Sequence, residues 1–419
     1  VLSLLRRPLE AGGAADDEDK RSFNDIVRPI ITVNDVNYGS VNVELSRIVR
    51  NGTQGDLQSL LAIPNGNGTF TSENFPEKIE NDGIYSFSVT LTDLAGNTQT
   101  ADEVFTVNRF GSVYVFNDVL NAAIENNYNQ SISGNVVITE YNADPISKEM
   151  IQVTRDGSPV SLDDNVSSKT GNTRAEDGWY QNTYTIPQSA FAADGIYNIY
   201  ISSVDNSGNT PEMSGENIYY GENKLEGKDA SFIIDATKPQ IVNVYSDEVE
   251  LSGDQAIINA ESLILKYEIS DNIAIDTIEV HKGINDPDPQ KIVMDKVIED
   301  SQATTSADGE NRNYTSYIGD IKVENGFNED EIYFVITDKA GNVINTSSEN
   351  TDENTAYDLG TFKFLNNITV DTNPFVLWFA NKPLFWGSIG ALAAILIGVF
   401  LIIFFKKRKK NDDEEKAES

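Results

Sequence analysis

The sequence predicts an all-β chain of three tandem sandwich domains followed by one transmembrane α-helix. Three observations predict it. Apolar and polar residues alternate with period two in short runs, the mark of strands with one buried face. The same Asp-x-x-Gly-Asn punctuation closes three such runs, at residues 93–97, 205–209 and 338–342. Residues 384–405 form one run with neither charge nor proline.

At the start, the apolar stretch of residues 1–5 is too short for a signal-peptide core, and Arg6 and Arg7 follow it. There is no initiator Met, so the chain is expected to lack its true beginning. Residues 1–24, with Gly12, Gly13 and an acidic run, read as linker. The expected domains then cover residues 25–108, 109–235 and 236–370. Near their ends, Tyr85, Phe87, Val89 and Leu91 alternate with Ser and Thr in the first. Tyr197, Ile199 and Ile201 do so in the second, and Ile332, Phe334 and Ile336 in the third. Each Asp-x-x-Gly-Asn that follows predicts a turn. Asp and Asn side chains bond nearby amides, and Gly accepts positive φ without steric cost.

Other punctuation agrees. Phe105, Phe232 and Phe364 each stand three residues before Asn108, Asp235 and Asn367, where a strand is expected to end. Pro29 and Pro239 follow Asp25 and Asp235 at equal spacing, as rigid strand starts. Residues 151–162 read as a hairpin about Asp156-Gly157, and residues 263–280 as another about Ser270, Asp271 and Asn272. No helix of convincing length is predicted outside the membrane. The turns recur after 112 and 133 residues, which indicates serial domains and not a solenoid.

Asp-Gly-Ile-Tyr precedes two of the late strands, at residues 82–85 and 194–197, and Asp330-Glu331-Ile332-Tyr333 stands closer to its turn in the third. A Tyr there resembles the tyrosine corner of immunoglobulin-type folds, with Phe87 and Ile199 where such domains often carry a Cys. Together with Phe-x-x-Asp-x-x-x-Pro, the set resembles bacterial immunoglobulin-like (Ig-like) repeats of Gram-positive surface proteins. That resemblance implies stalk or adhesion roles and no catalytic residues. Many such proteins carry Leu-Pro-x-Thr-Gly before the span. Residues 381–387 read Asn-Lys-Pro-Leu-Phe-Trp-Gly instead, so the helix itself is the expected anchor.

The membrane reading rests on length and flanks. A bilayer core of roughly 30 Å needs about 20 apolar helical residues. Trp378, Phe379 and Trp386 lie at the start of the run, and Lys406, Lys407, Arg408, Lys409 and Lys410 follow it. Bases on that side put residues 406–419 in the cytoplasm and residues 1–383 outside, with 371–383 as the juxtamembrane segment.

Composition excludes whole classes of function. The chain carries −35; the tail has six bases against five acids, and Asp371 cancels Lys382, so residues 1–370 carry −36. Such a surface repels phosphate backbones, which rules out nucleic-acid binding. It can hold divalent cations loosely. There is no Cys, so thiol chemistry and Cys-metal sites are absent, and the disulfide-free ectodomain points to a bacterium. Asn-x-Ser/Thr triplets at Asn51, Asn67, Asn165, Asn313 and Asn345 arise by chance in so Asn-rich a chain.

No residue is assigned as catalytic, cofactor-binding or metal-binding. His281, the only His, reads as a surface residue at a strand end. Paired acids at Asp163-Asp164 and at Asp286 and Asp288 read as solvated loops, though glycosidases do use two carboxylates. Asp25, Asn108, Asp235, Asp271 and Asn272, at the domain junctions, are the positions where calcium would stiffen the array, against turn formation as the plainer role. Trp179 and Tyr180 read as loop or core aromatics, with a sugar-stacking patch as the alternative. The expected function is a non-enzymatic, monomeric, single-pass surface stalk for adhesion or display, with an unknown extracellular protein or glycan as ligand. The alternative is the C-terminal stalk of a surface enzyme, glycan-active or peptidase, with its catalytic domain upstream.

Overall fold

All three Asp-x-x-Gly-Asn segments close in the same way. In each, the Asp backbone N–H donates to the Asn carbonyl (2.9, 3.1 and 3.1 Å), and the Asn N–H and side-chain amide return to the Asp carboxylate. Gly96, Gly208 and Gly341 sit at φ of 87°, 86° and 87°, where a Cβ would be strained. The computed structural model describes residues 2–5, 22–23, 28–35, 37–48, 58–60, 63–66, 69–71, 82–162, 170–174, 179–293, 302–305 and 311–417. Asp25, Asp163 and Asp164 lie outside them.

The chain is built of β-sandwich Ig-like domains with one long apolar helix at the C-terminal end. Two compact units divide it, Val1–Asp235 and Ala236–Ser419. Unit 1 holds two sandwiches. In the first, one sheet runs Leu2–Leu5, Arg28–Thr32, Thr69–Thr71, Ile63–Gly66. The other runs Ser22–Phe23, Thr98–Val107, Gly83–Asp93, Tyr38–Ile48, Gln58–Leu60. Residues 2–5 and 22–23 thus pair as strands within a segment expected to be linker, Leu2–Leu5 being antiparallel to Arg28–Ile31 and Ser22–Phe23 parallel to Thr106–Val107. Tyr85 and Val89 of the alternating run are buried, as the period-two phase requires. The side chains of Phe87 and Phe105 lie outside the described ones.

In the second sandwich, a six-stranded sheet carries Tyr180–Ile186, Val136–Asn142 and Val113–Phe116 at its centre. A five-stranded sheet carries Ser231–Ile234, Gly195–Asp205 and Ile146–Arg155. Ile138 and Tyr184 from the one face pack with Ile199, Ile201 and Phe232 from the other. The tyrosine corner forms: Tyr197 Oη donates to Ala193 O at 2.7 Å, and its ring stacks on Phe232 at 5.9 Å. Asp156 and Gly157 both take positive φ, 50° and 78°, and close the expected hairpin between Ile146–Arg155 and Ser158–Pro159. One helix was not foreseen. α1, Asp118–Asn126, is capped by the Asn117 side chain, which accepts from Leu120 N at 3.2 Å, and it buries Leu120, Ala123 and Ile124. At nine residues it is too short for its 3.6-residue period to stand out among strand signals.

Unit 2 holds the third sandwich. Its sheets centre on Ser262–Asp271 with Asn311–Glu324, on Ile275–Lys282 with Ile332–Asp338, and on Ile368–Val370. Leu265, Tyr267 and Ile269 face Ile278, Val280, Phe334 and Ile336 in one core. The second expected hairpin is corrected here. Ser262–Asp271 and Ile275–Lys282 belong to different sheets, so residues 272–274 cross the sandwich instead of turning within a sheet. Both strands bury alternate residues, and a crossing strand presents the same alternation as a hairpin partner. Phe364 is corrected too: it is buried on a 3₁₀ turn, Gly360–Asn366, and not at a strand end.

After the sandwich come α2, Pro374–Ala380, and α3, Lys382–Ala417. Residues 382–408 of α3 are long and apolar enough to cross a membrane, and none of that window is buried. The helix starts two residues before the expected span and runs on through the expected tail, where Lys, Arg, Glu and Ala, all good helix formers, outnumber Asn411, Asp412 and Asp413.

Candidate functional site

The Thr98–Val107 strand ends the first sandwich, and Asn108 is the next residue. Its side chain is fully buried. The two N–H bonds of its amide are shared among three acceptors, Asn142 Oδ1 at 2.9 Å, Asp144 Oδ2 at 3.0 Å and Asp205 Oδ2 at 2.9 Å from the nitrogen. All three acceptors belong to the second sandwich. Asn142 Nδ2 donates to Ser112 Oγ (2.9 Å) and Asp205 Oδ2 (3.2 Å), and Asn209 Nδ2 donates to the Asn108 carbonyl at 2.9 Å. The second Asp-x-x-Gly-Asn turn therefore does two jobs. It closes its own loop and grips the residue that links the two sandwiches.

Around this centre the joint is sealed on two sides. Asp82, of the first Asp-Gly-Ile-Tyr, accepts from the backbone N–H groups of Arg109 and Phe110, both at 2.7 Å, and from Arg109 Nε at 3.2 Å. Burial pushes the Asp82 carboxyl up, against the pull of the Phe110 and Arg109 amides and of the guanidinium. Ile84 packs with Ala143, Trp179 and Tyr141, an apolar contact that spans the two sandwiches. Trp179 is 6% exposed and Tyr180 half-buried, so the sugar-stacking alternative falls and the core reading stands.

Chemically the centre is a hydrogen-bond lock. An –NH₂ group stands where three oxygens converge, the place a cation would take in a set of acids alone. The sequence singled out Asn108 and the turn, but not Asn142, Asp144 or Arg109. Asn142 and Asp144 end an alternating strand with two Asx residues, and that pattern was the available signal.

The remaining expected positions divide between the two units. Asp235 is buried at the end of unit 1, with its N–H on Asn129 O at 2.8 Å. In unit 2, Asp271 Oδ1 accepts from Ile273 N (2.9 Å) and Ala274 N (2.7 Å), the turn-forming role, and Asn272 is buried beside it. Carboxylate oxygens of Asp271 and Asp338 lie within 4.8 Å of one another. Burial raises the Asp338 carboxyl despite its bonds from Asn342, whereas the exposed Asp93 is lowered by its bonds from Asn97. His281 lies on a strand, half-buried, and stacks flat on Tyr333 at 4.3 Å, with Nε2 3.5 Å from Glu279 Oε2. Asp286 binds the amides of Lys282 (2.7 Å) and Asp288 (3.0 Å), so this acid pair shapes its own loop.

Residues 41–109 match the family of bacterial Ig-like domains. No curated protein matches. Among solved structures, a tetra-tandem repeat from the extending region of a large adhesion protein is 16% identical, over 78% of this chain and 71% of that one, with a TM-score of 0.27. A 1.5-MDa bacterial ice-binding adhesin is 16% identical over 84% and 92%, with a TM-score of 0.19. The ectodomain of mouse nectin-like molecule 4 is 10% identical over 83% and 96%, with a TM-score of 0.27. At those scores the fold rests on the family match over the first sandwich and on the strand ladders themselves.

Proposed function

We propose that this is a non-enzymatic, single-pass cell-surface protein of the Gram-positive type, whose Ig-like domains form a stalk for adhesion or for display of a binding region. The joint at Asn108 carries this reading. Two sandwiches follow one another with no linker between the Thr98–Val107 strand and the lock, so the first is held in place by the second. A module that only had to be tethered would have no use for a buried lock. The apolar helix supplies the anchor, with residues 1–383 outside and 406–419 in the cytoplasm. The ligand is an extracellular protein or glycan held by loops, and the stalk is monomeric. The reading calls for no catalytic residue and no cofactor. Calcium enters it only as loosely held counter-charge on an acidic surface.

A chain without Cys makes the test direct. In cells displaying the protein, Ser252→Cys is expected to react with a membrane-impermeant maleimide, and Ser419→Cys only after permeabilisation. Labelling of Ser419→Cys in intact cells would sink the topology. Hydrolysis of glycan or peptide substrates by the purified chain would sink the non-enzymatic part.

A further inference from the structure

Between the third sandwich and the long helix, α2 presents an apolar face. Phe375 and Phe379, one turn apart on the same side, are 78% and 52% exposed, although the whole of Pro374–Ala380 is free of charge. The opposite side is fixed. α2 rests against the Ala256–Ile258 and Phe327–Asp330 strands, and Ala380 is buried there.

The depth of α2 along the long helix is set by contacts. Asn381 alone separates α2 from α3, and its Oδ1 caps α3 by accepting from Leu384 N at 3.1 Å. Trp378 Nε1 donates to Ser388 Oγ at 3.0 Å. The rings of Trp378 and Phe379 meet the Phe385 ring at 4.8 and 5.0 Å. Ser388 lies four residues past Leu384, about 6 Å along the axis at roughly 1.5 Å per residue. So α2 folds back beside the first turns of the apolar run. Lys382 completes the clamp: Nζ is 2.8 Å from Glu329 Oε1 and 4.1 Å from the centre of the Phe379 ring. Glu329 holds φ of 50°, a costly conformation for a side-chain-bearing residue, and its N–H is tied to Thr369 Oγ1 at 3.0 Å.

We propose that α2 is a lipid-binding element. Phe375 and Phe379 enter the boundary between headgroups and acyl chains, and they seat the third sandwich directly on the bilayer. The proposal rests on the membrane anchoring proposed above. If residues 384–405 lie in hydrocarbon, the contacts with Phe385 and Ser388 place α2 at the headgroup level. Apolar side chains of a helix lying in that plane enter the headgroup and acyl boundary to about 5–10 Å. Aromatic rings favour that zone, and the Lys382 ammonium is held at its outer edge.

The experiment uses the full chain in phosphatidylcholine vesicles, with an environment-sensitive fluorophore on Phe375→Cys, Phe379→Cys, Leu396→Cys or Ser252→Cys. All but Leu396→Cys replace groups outside the expected span and each site is exposed; Phe375→Cys keeps the contacts of the Phe379 ring with Phe385 and Lys382, and circular dichroism of each labelled chain against the parent checks the fold. The probes at 375 and 379 are expected to lose about half of their emission or more to lipid bearing a nitroxide at a shallow acyl position, and to resist aqueous iodide. The probe at 252 should do the reverse, and the probe at 396 should respond to a deep nitroxide. Iodide access at 375 and 379 with 396 shielded overturns the proposal and leaves the anchor standing. Iodide access at 396 overturns the anchor itself. Shielding at 375 and 379 that vanishes when protein is diluted in excess lipid assigns the face to a second copy and overturns the proposal.

Discussion

Asp93 and Asp338 occupy the same place in the same turn, yet their environments drive their acidities apart. Asp93 is exposed and is lowered by the bonds from Asn97. Asp338 is buried and is raised, because desolvation outweighs the bonds from Asn342. The signs for stability are opposite. The folded pKa of Asp93 is below its unfolded value, so its contribution is present above the ordinary carboxylate pKa and is lost as pH falls through the folded value. The folded pKa of Asp338 is above its unfolded value, so its contribution is full below the ordinary pKa and is lost as pH rises through the folded value. Carboxyl ¹³C titration by NMR is expected to put Asp93 below, and Asp338 above, the usual Asp range. A reversed order would contradict the burial argument. The sequence showed the turn at both positions but not this difference, since burial depends on residues more than 60 positions away, such as Asp271 beside Asp338.

At the level of elements, the alternating strands were legible because one-sided burial forces the pattern residue by residue. The run from Gly195 to Asp205 buries every second residue from Tyr197 onward. Pairing was less legible. The Ser262–Asp271 strand and Ile275–Lys282 show the right alternation for a hairpin and still part into two sheets. A turn's sequence fixes its local backbone and not which sheet receives the next strand. The lock was only half visible for the same reason: Asn108 meets acceptors 34 to 97 residues away. Asn108→Ala takes one donor from oxygens that keep others, Asp144 N on Asn142 Oδ1, Ser207 Oγ on Asp144 Oδ2 and Asn209 Nδ2 on Asp205 Oδ2, so what is lost is hydrogen bonding to buried and charged acceptors, at about 1.5–3 kcal/mol for a bond to a charged group. Urea unfolding of the variant is expected to show a loss of about 2–4 kcal/mol. Spin labels on the first two sandwiches are expected to give a narrow distance distribution in the parent chain and a broad one in the variant. An equally narrow distribution in Asn108→Ala would mean that the apolar contact of Ile84 with Trp179 holds the joint by itself.

Over the whole molecule, composition spoke more clearly than any motif. A formal charge of −35 on 419 residues, with −36 on residues 1–370 and +1 on the tail, is self-repelling. Salt screens such repulsion within a Debye length of about 10 Å at 0.1 M. The thermal midpoint of the detergent-solubilised chain is therefore expected to rise with NaCl. CaCl₂ at matched ionic strength should add little if calcium is only counter-charge. A large extra shift with calcium would show a built centre instead. The boundary between the two units at Asp235 coincides with the Phe-x-x-Asp junction seen in the sequence. The grouping of the first two sandwiches in one unit follows from the lock, which spacing alone does not reveal.

The arrangement around Asn108 also governs how a pull on the chain is borne. A flexible tether yields one residue at a time as it lengthens. Here one –NH₂ group shares its two N–H bonds among three oxygens on two strand ends and a bend, while Asn209 holds the carbonyl of the same residue. These bonds are loaded side by side, so they must rupture together. Tension would pass through this point undiminished until the joint fails in one step, and the chain would behave there as a bolt and not as a spring.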